Sequence, residues 1–429
     1  MKRKLNVLII SHEFSPYQGS ECSVGWNLVN EISNYHNLSV IYASTNQFKT
    51  SNYRNHVESF FSKSKAKNNF NYISISQPNL SKIISRINKF VSKDKTSIGI
   101  PFLYFLAYRF WEKSAYKYVK NNINLDDIDI IHHLTSISFR EPGFLWKINK
   151  PYFWGPISGN VKIPNLFFKL LTNKQILFQK IRNIITDIQL KYSYRIIKAS
   201  RKASLIYCVT KEDYNYFHGK YGNKVRYMLD VGCSNELLFN EKISYDTINF
   251  IWIGRIVYSK ALEILIYSIS RIQKENLQNK ATFTIIGDGP DIEKNKTLAN
   301  KLNLKNIFWV GKVNHNEVQN YLDKAHCLVH TSIREATSVT IMEALNSSVP
   351  VICHDAFGMT FAVTDDCGIK VPFLDLETSI NGFSSSMLKL IMEPKYLKLL
   401  SKNAYLRSKE LSWTKMAEII SNDYLNIKS

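Results

Sequence analysis

The chain lacks most signs of an extracellular or membrane-spanning protein. Its 429 residues hold only six cysteines, Cys22, Cys208, Cys233, Cys327, Cys353 and Cys367. No two have C-x2-C spacing, and several sit in apolar runs, where a thiol behaves as a small hydrophobe. That usage fits a reducing compartment. No apolar stretch approaches the roughly 18 residues of a membrane-crossing helix. Met1-Lys2-Arg3-Lys4 is basic, but the apolar run behind it, Leu5 to Ile10, is too short for a signal-peptide core. The expected location is cytoplasmic, at the inner face of the cell membrane. Low-complexity tracts, internal repeats and nucleic-acid-binding motifs are absent too. The letters D-x-D occur at Asp127-Ile128-Asp129, but they precede a strand and read as the turn that starts it, so no metal site is expected.

Acidic residues are scarce, and unevenly so. Residues 1–240 carry 34 Lys and Arg against 15 Asp and Glu, whereas residues 241–429 carry 22 against 20. The first half is therefore strongly basic and should face an acidic partner. Composition is otherwise that of an ordinary globular protein, with 45% hydrophobic and 21% charged residues. The length suggests two or three domains.

Apolar runs mark buried strands at Leu5–Ile10, Leu38–Ala43, Phe70–Ser76, Asp129–His133, Pro151–Pro156, Ser204–Val209 and Lys224–Met228. Residues 45–120 are otherwise hard to read, apart from amphipathic basic or aromatic stretches at 81–91 and 102–118. Residues 162–203 read as a basic amphipathic helical region. The second half alternates cleanly: strands at Ile248–Ile253, Thr282–Ile286, Ile307–Val310, Cys327–His330 and Val349–Cys353, with helices between. This pattern predicts parallel sheets covered by helices on both faces, and a boundary between Leu237 and Asp246.

Ligands of such sheets bind beyond the carboxyl ends of the strands. Gly254-Arg255 and Lys260 follow one strand, and Gly287-Asp288-Gly289-Pro290 the next. Gly311-Lys312 follow a third. Ser332 and the stretch Glu335 to Glu343 follow the fourth. His354-Asp355 follow the fifth. Two glutamates eight residues apart, spanning a loop and the start of a helix, could flank a phosphate held on the helix N-terminus. Alone, that spacing favours an ordinary strand–helix unit with two solvated glutamates; five ligand-bearing exits together favour a binding edge.

In this order, G-R…K, G-D-G-P, S-x-x-E-x7-E-A and P-V-I resemble the GT-B glycosyltransferases, specifically the large retaining family 4. In the first half, Pro16-x-x-Gly19-Ser20-Glu21, Asp129-Ile130-Ile131-His132-His133 and Trp154-Gly155-Pro156-Ile157-Ser158-Gly159 support the resemblance. It implies two Rossmann-like domains, 1–240 binding the acceptor and 241–410 binding a nucleotide sugar. The last helix, 411–429, would cross back to the first domain. It also implies roles. Arg255 and Lys260 would neutralise the leaving diphosphate. Ser338, Val339 and Thr340 would offer N–H groups to the phosphates, Glu343 would take the ribose hydroxyls, and Glu335 the donor sugar. Gly19 lets backbone approach the phosphate, and Gly254, Asp288 and Gly289 complete the donor site.

Family members carry a histidine at the end of the fourth strand, usually as H-x-H. Here His132 and His133 are adjacent. Side chains alternate along a strand, so one faces the cleft; His133 is favoured, with His132 as a buried partner. His12 and His354 read as loop residues. Alanine at 261 replaces a common glycine, which a helix start tolerates. Ala336-Thr337-Ser338 replace the usual loop glycine and leave the donor sugar open. The expected activity is hexosyl transfer to a lipid-linked or oligosaccharide acceptor in surface polysaccharide synthesis, with neither cofactor nor metal. Basic amphipathic segments add an anionic membrane surface as a partner. A catalytically inactive GT-B subunit and a sugar-nucleotide epimerase are the alternatives.

Overall fold

The computed structural model describes every residue except 1–3, 20, 64–69, 93–98, 235–237, 240–243, 276–277 and 429. Met1 to Arg3 of the basic start, Ser20 of the first loop motif and the 240/241 boundary lie outside the described residues.

The first sheet comprises β1 (Asn6–Ser11), β2 (Asn37–Ala43), β3 (Phe70–Ile75), β4 (Ile130–Thr135), β5 (Tyr152–Ile157), β6 (Leu205–Cys208) and β7 (Val225–Tyr227). Its order is β3-β2-β1-β4-β5-β6-β7. The second comprises β8 (Ile248–Ile253), β9 (Ala281–Ile286), β10 (Ile307–Gly311), β11 (Cys327–His330), β12 (Val351–His354) and β13 (Gly368–Val371). Its order is β10-β9-β8-β11-β12-β13. Neighbouring strands are parallel throughout. Both sheets are covered on both faces, which is why their strands read as unbroken apolar runs rather than alternating ones. Strand order reverses beside β1 and beside β8, and each reversal opens a crevice at the carboxyl ends.

All six cysteines are buried and unpaired. Edge strand β13 and the helices Tyr53–Lys63 and Lys211–Tyr221 carry too little periodic signal to be read from sequence. The region 162–203 resolves into helices Asn173–Tyr192 and Tyr194–Lys202. Two helices have inverted burial. Asn79–Val91 buries Ser81, Ser85 and Asn88 and exposes Leu80, Ile83, Ile87 and Phe90. Asn173–Tyr192 buries Gln179 and Thr186 and exposes Leu177, Phe178, Ile181, Ile184 and Ile188.

Two segments tie the domains together. Ile163, Phe167 and Leu170 leave the first domain and join the core of the second, where the Phe167 ring stacks on Phe373 at 4.7 Å. In return, helix Trp413–Lys428 places Met416, Ala417, Ile420 and Tyr424 in the core of the first. Its polar groups are anchored as well. Tyr207 donates to Asp423 at 2.8 Å, and Arg226 pairs with the same carboxylate. His36 and Ser421 are 2.9 Å apart.

His132 completes this anchor. Its Nε2–H donates to the Gly155 carbonyl at 2.7 Å, which leaves Nδ1 to accept from Tyr424 Oη at 2.5 Å. Burial holds its pKa down to about 4, so it is neutral near pH 7. Tyr424→Phe, which deletes only the hydroxyl, is expected to lower unfolding free energy by about 1–2 kcal/mol. Tyr424→Ala should cost about 3–5 kcal/mol. Urea denaturation of both variants checks the difference.

Candidate functional site

The crevice beside β8 is built by close backbone approach. After β9, Gly287 adopts φ +138°, and a Cβ there would stand 1.8 Å from the Gly254 carbonyl oxygen. A Cβ on Gly289 would stand 2.2 Å from the Ile256 carbonyl. Only glycine fits these contacts. They let the β9 exit lie on the β8 exit, sealed by Ile256 N–H donating to the Asp288 carbonyl at 2.9 Å. The Asp288 carboxylate accepts from Gly289 N–H at 2.7 Å. Gly254, Arg255, Asp288 and Gly289, with Lys312 from the β10 exit, line one hollow of about 570 Å3.

Beside it, the turn Tyr258–Lys260 brings Lys260 to the β11 exit, where its Nζ pairs with Glu335. Ser332 Oγ lies 3.4 Å from the same carboxylate and His330 Nε2 3.9 Å away. The two exits are stitched together. Thr331 Oγ1 donates to the Lys260 carbonyl at 2.8 Å, and Trp252 Nε1–H donates to Thr331 at 3.0 Å. Ile333 N–H reaches the Ser259 carbonyl at 2.9 Å. Burial, then the Lys260 charge, keeps His330 neutral, far below its ordinary pKa. The turn ends at Ala261 in the left-handed region, φ +46°. Glycine would sit there without strain, whereas alanine costs roughly 1–2 kcal/mol. The substitution is thus less innocent than its place before a helix suggests.

Helix Val339–Asn346 begins at Ser338, whose Oγ lies 2.7 Å from Thr340 Oγ1. Glu343 sits further along the same helix, 3.4 Å from His315 Nδ1, and burial raises its pKa. The two glutamates therefore serve different neighbourhoods, Glu335 at Lys260 and Glu343 at His315. His354 is no loop residue. It is fully buried, bonded to the Ser332 carbonyl at 3.1 Å and Ser379 Oγ at 3.0 Å, and braces the loop that carries Glu335.

A second cavity, about 280 Å3, opens between the domains. Glu21 and Val24 line it from one helix, Ser138 and Ser158–Gly159 from the β4 and β5 exits, and Glu335, Thr337 and Val339 from the second domain. Asp230 and Val231, on the way to β8, complete it.

His133 does not line this cavity. At 1% exposure, it lies 3.4 Å from Glu112 Oε1 and 3.4 Å from Tyr152 Oη. Alternation does place the two histidines on opposite faces of β4, but helices cover both faces, so neither side chain reaches the cleft. Gly19 is exposed, and a Cβ there would meet nothing within 4 Å. The surrounding fold does not demand glycine at that position. Asp129 accepts from Asn6 N–H at 3.0 Å, in keeping with a strand-starting turn. Among the described residues, no group of three or more His, Cys, Asp or Glu is arranged to hold a metal ion. Asp230 escaped the sequence reading because it belongs to no periodic segment, whereas Thr337 was noted only as part of the loop that replaces the usual glycine. Glu21 was visible only as a letter in a loop motif.

Residues 234–407 match the family model for glycosyl transferases group 1. Those residues, less than half of the chain, are similar to the group 1 glycosyl transferases. A stretch of 124 residues is 35% identical to an uncharacterized glycosyltransferase of Methanocaldococcus jannaschii, covering 28% of this chain and 30% of that one. The chain spans less than a third of the length of the curated relatives it matches. Over nearly its whole length it has the GT-B fold of solved structures. Sucrose-phosphate synthase from Thermosynechococcus elongatus superposes with a TM-score of 0.63 at 14% identity, over 99% of both chains. HepE of Anabaena, crystallised with UDP and glucose, gives 0.57 at 12%, over 99% of this chain and 100% of that one.

Within the matched residues, Gly287 makes the tightest backbone approach. Gly287→Ala should lose about 1–3 kcal/mol to backbone strain alone, with the steric clash in addition. A lower melting temperature together with weaker nucleotide binding is the expected result, read by thermal denaturation with and without nucleotide.

Proposed function

We propose that the protein is a metal-independent, retaining hexosyltransferase of the family 4 type. It moves a sugar from a nucleotide diphosphate to a hydroxyl of a lipid-linked or oligosaccharide acceptor, in the assembly of a surface polysaccharide. No cofactor is needed, because the nucleotide sugar is itself the activated substrate. The observation that carries this reading is the Lys260–Glu335 pair beside the hollow of Gly254, Arg255, Asp288 and Gly289.

As the glycosidic bond breaks, negative charge develops on the leaving diphosphate. Arg255 and Lys260 are the cations that would meet it, and fixed donors of this kind accelerate reactions because they need no reorganisation. The start of helix Val339–Asn346 presents N–H groups and a positive dipole end, with Ser338 and Thr340 beside them. Glu335 takes hydroxyls of the donor sugar, and Glu343 those of the ribose. Gly19 gives the phosphates a clear approach from the first domain. HepE, a structural neighbour crystallised with UDP and glucose, supports a nucleotide-sugar donor. His133 has no part in this chemistry; it serves the packing of β4.

The basic first domain is read as the face that meets an anionic membrane at the inner surface of the cell. No helix among the described residues is long and apolar enough to cross a membrane. The two inverted helices support surface attachment. Their outward apolar stripes include Phe90, 92% exposed, and they carry Lys82, Arg86, Lys89, Lys174, Lys180 and Lys191. Such a pattern lies in the headgroup boundary and is drawn there by anionic lipid.

Lys260→Ala and Glu335→Ala are each expected to cut transfer by about 10²–10³-fold or more, with unchanged circular dichroism. Full activity in either would refute the assigned roles. A thermal-shift panel of UDP-, GDP- and dTDP-sugars should show selective stabilisation by one base. Donor hydrolysis by the purified protein separates an enzyme from an inactive GT-B subunit. Sedimentation with anionic vesicles, but not neutral ones, is expected for the wild type and not for Phe90→Glu/Ile184→Glu.

A further inference from the structure

The inverted helix Asn173–Tyr192 turns an arginine inward along with its amides. Gln179, Arg182, Asn183 and Thr186 are three and four residues apart, so they share one face. The exposed Leu177, Ile181, Ile184 and Ile188 lie on the opposite one. Arg182 Nη1–H donates to the Val161 carbonyl at 2.6 Å. Arg140 Nη2–H donates to Thr186 Oγ1 at 2.7 Å and to the Gly159 carbonyl at 3.2 Å. Gln179 Nε2–H donates to Tyr258 Oη at 3.1 Å, and the Arg334 guanidinium lies 5.8 Å from the centre of that tyrosine ring. Three half-buried arginines, from the β4 exit, the helix and the β11 exit, thus converge on one helix face.

These cations lack the partners that the chain gives its others. Arg109 and Arg195 pair with Glu141, Arg226 with Asp423 and Arg407 with Glu410. Among the described residues, Arg140, Arg182 and Arg334 form no ion pair. The carboxylate whose charge reaches them, Asp213, is already engaged by Gly159 N–H at 3.1 Å, Asn160 N–H at 3.0 Å and the Thr210 hydroxyl at 2.6 Å. Arg334 Nη1 is buried with no acceptor, and Gln179 Oε1 and Asn183 Oδ1 are buried without a donor. Buried polar atoms are rarely left so. Burial first, then the Arg334 and Arg140 charges, pushes Arg182 down to about 9; burial pushes Arg140 down to about 10, with Asp213 opposing. Both stay charged near pH 7, so the mutual repulsion persists until an anion relieves it.

We propose that Arg140, Arg182 and Arg334 form a seat for the phosphoryl group of a lipid, separate from the cations Arg255 and Lys260 that meet the donor diphosphate. Guanidinium groups match phosphate oxygens two at a time, and a cluster without carboxylates leaves that capacity open. The amides of Gln179 and Asn183 suit hydroxyls carried next to the phosphate. The position suits a lipid as well. The outward stripe of the same helix is apolar, and the helix is only about 10 Å across. A chain lying along the stripe therefore brings its phosphate within reach of the inner face. Gly159, which Arg140 holds, and Glu335, which follows Arg334, both line the cleft cavity, so a group attached to that phosphate points towards the cleft. Only the nature of that attached group rests on the glycosyl-transfer reading; the seat itself does not.

The test titrates the full chain with geranyl diphosphate, dihexanoyl phosphatidylglycerol and inorganic pyrophosphate by isothermal calorimetry, with geraniol as the phosphate-free control. Wild type should bind at least one of the two lipids, and more tightly than it binds geraniol or pyrophosphate. Lys260→Ala should bind that lipid as wild type does. Arg182→Gln and Arg334→Gln should each bind it at least tenfold more weakly, while thermal stabilisation by nucleotide is unchanged in Arg182→Gln. Arg334→Gln gives up only the contact with the Tyr258 ring, so it decides the matter where Arg182→Gln fails to fold. Tighter binding of geranyl diphosphate supports the seat with a lipid-linked diphosphate as its source; tighter binding of phosphatidylglycerol supports it with a bilayer headgroup. Equal affinity in wild type and the arginine variants overturns the seat. So does loss of binding in Lys260→Ala, which would put the phosphate on the donor cations, and so does geraniol or pyrophosphate binding as tightly as the lipids. Absence of stabilisation by UDP, GDP and dTDP overturns the glycosyl-transfer reading instead, because the seat is read by its own titration.

Discussion

The ion pair of Lys260 and Glu335 is the constraint around which the second domain is arranged. Both side chains are largely shielded, at 22% and 19% exposure. Breaking such a pair from one side leaves an uncompensated charge, which costs more than the pair contributes. The turn that presents Lys260 and the loop that presents Glu335 must therefore keep their spacing, and the surroundings enforce it. Trp252, Thr331 and the backbones of Ser259 and Ile333 join the two exits, while His354 pins the far side of the loop. The left-handed Ala261 belongs to the same arrangement. It sets the direction in which the helix Leu262–Lys274 leaves the turn.

The second domain was legible because its strands are short, apolar and regularly spaced, and because each exit carries residues of unusual chemistry. Glycine at 287 and 289 was readable as a turn; its steric necessity needed coordinates. The histidine pair misled for a physical reason. Alternation was right, but its consequence assumed that one face of β4 was open, and the helices Pro101–Asn122 and Trp413–Lys428 cover its two faces. Residues 45–120 resisted reading because helix Asn79–Val91 turns its serines inward and its isoleucines outward. Amphipathic periodicity reveals a helix but not which face meets the core. Asp230 had no periodic neighbours to announce it. Its importance comes from the cavity wall that it joins.

The domains meet through a mixture of chemistry. Apolar contact is concentrated where Phe167 stacks on Phe373. The Tyr227 ring also stacks on Phe361, at 3.5 Å, and polar contacts accompany these: Lys211 N–H donates to the Phe357 carbonyl at 3.3 Å, Phe357 N–H to Glu212 at 3.3 Å, and Gln179 to Tyr258 Oη at 3.1 Å. The cavity walls contributed by Glu21 and by Glu335 belong to separate bodies, so the space between them is set by the junction rather than by either core.

The return of helix Trp413–Lys428 to the first sheet has a consequence for how the protein is made. His132 and Tyr207 stand in central strands, yet their hydrogen-bond partners, Tyr424 and Asp423, are 292 and 216 residues later. As the chain emerges from a ribosome, the first sheet must wait with an uncovered face until the whole second domain has been synthesised. The domain begun first is thus the last to be completed. During that interval its apolar surface is open to chaperones, to a membrane, or to aggregation with its own kind.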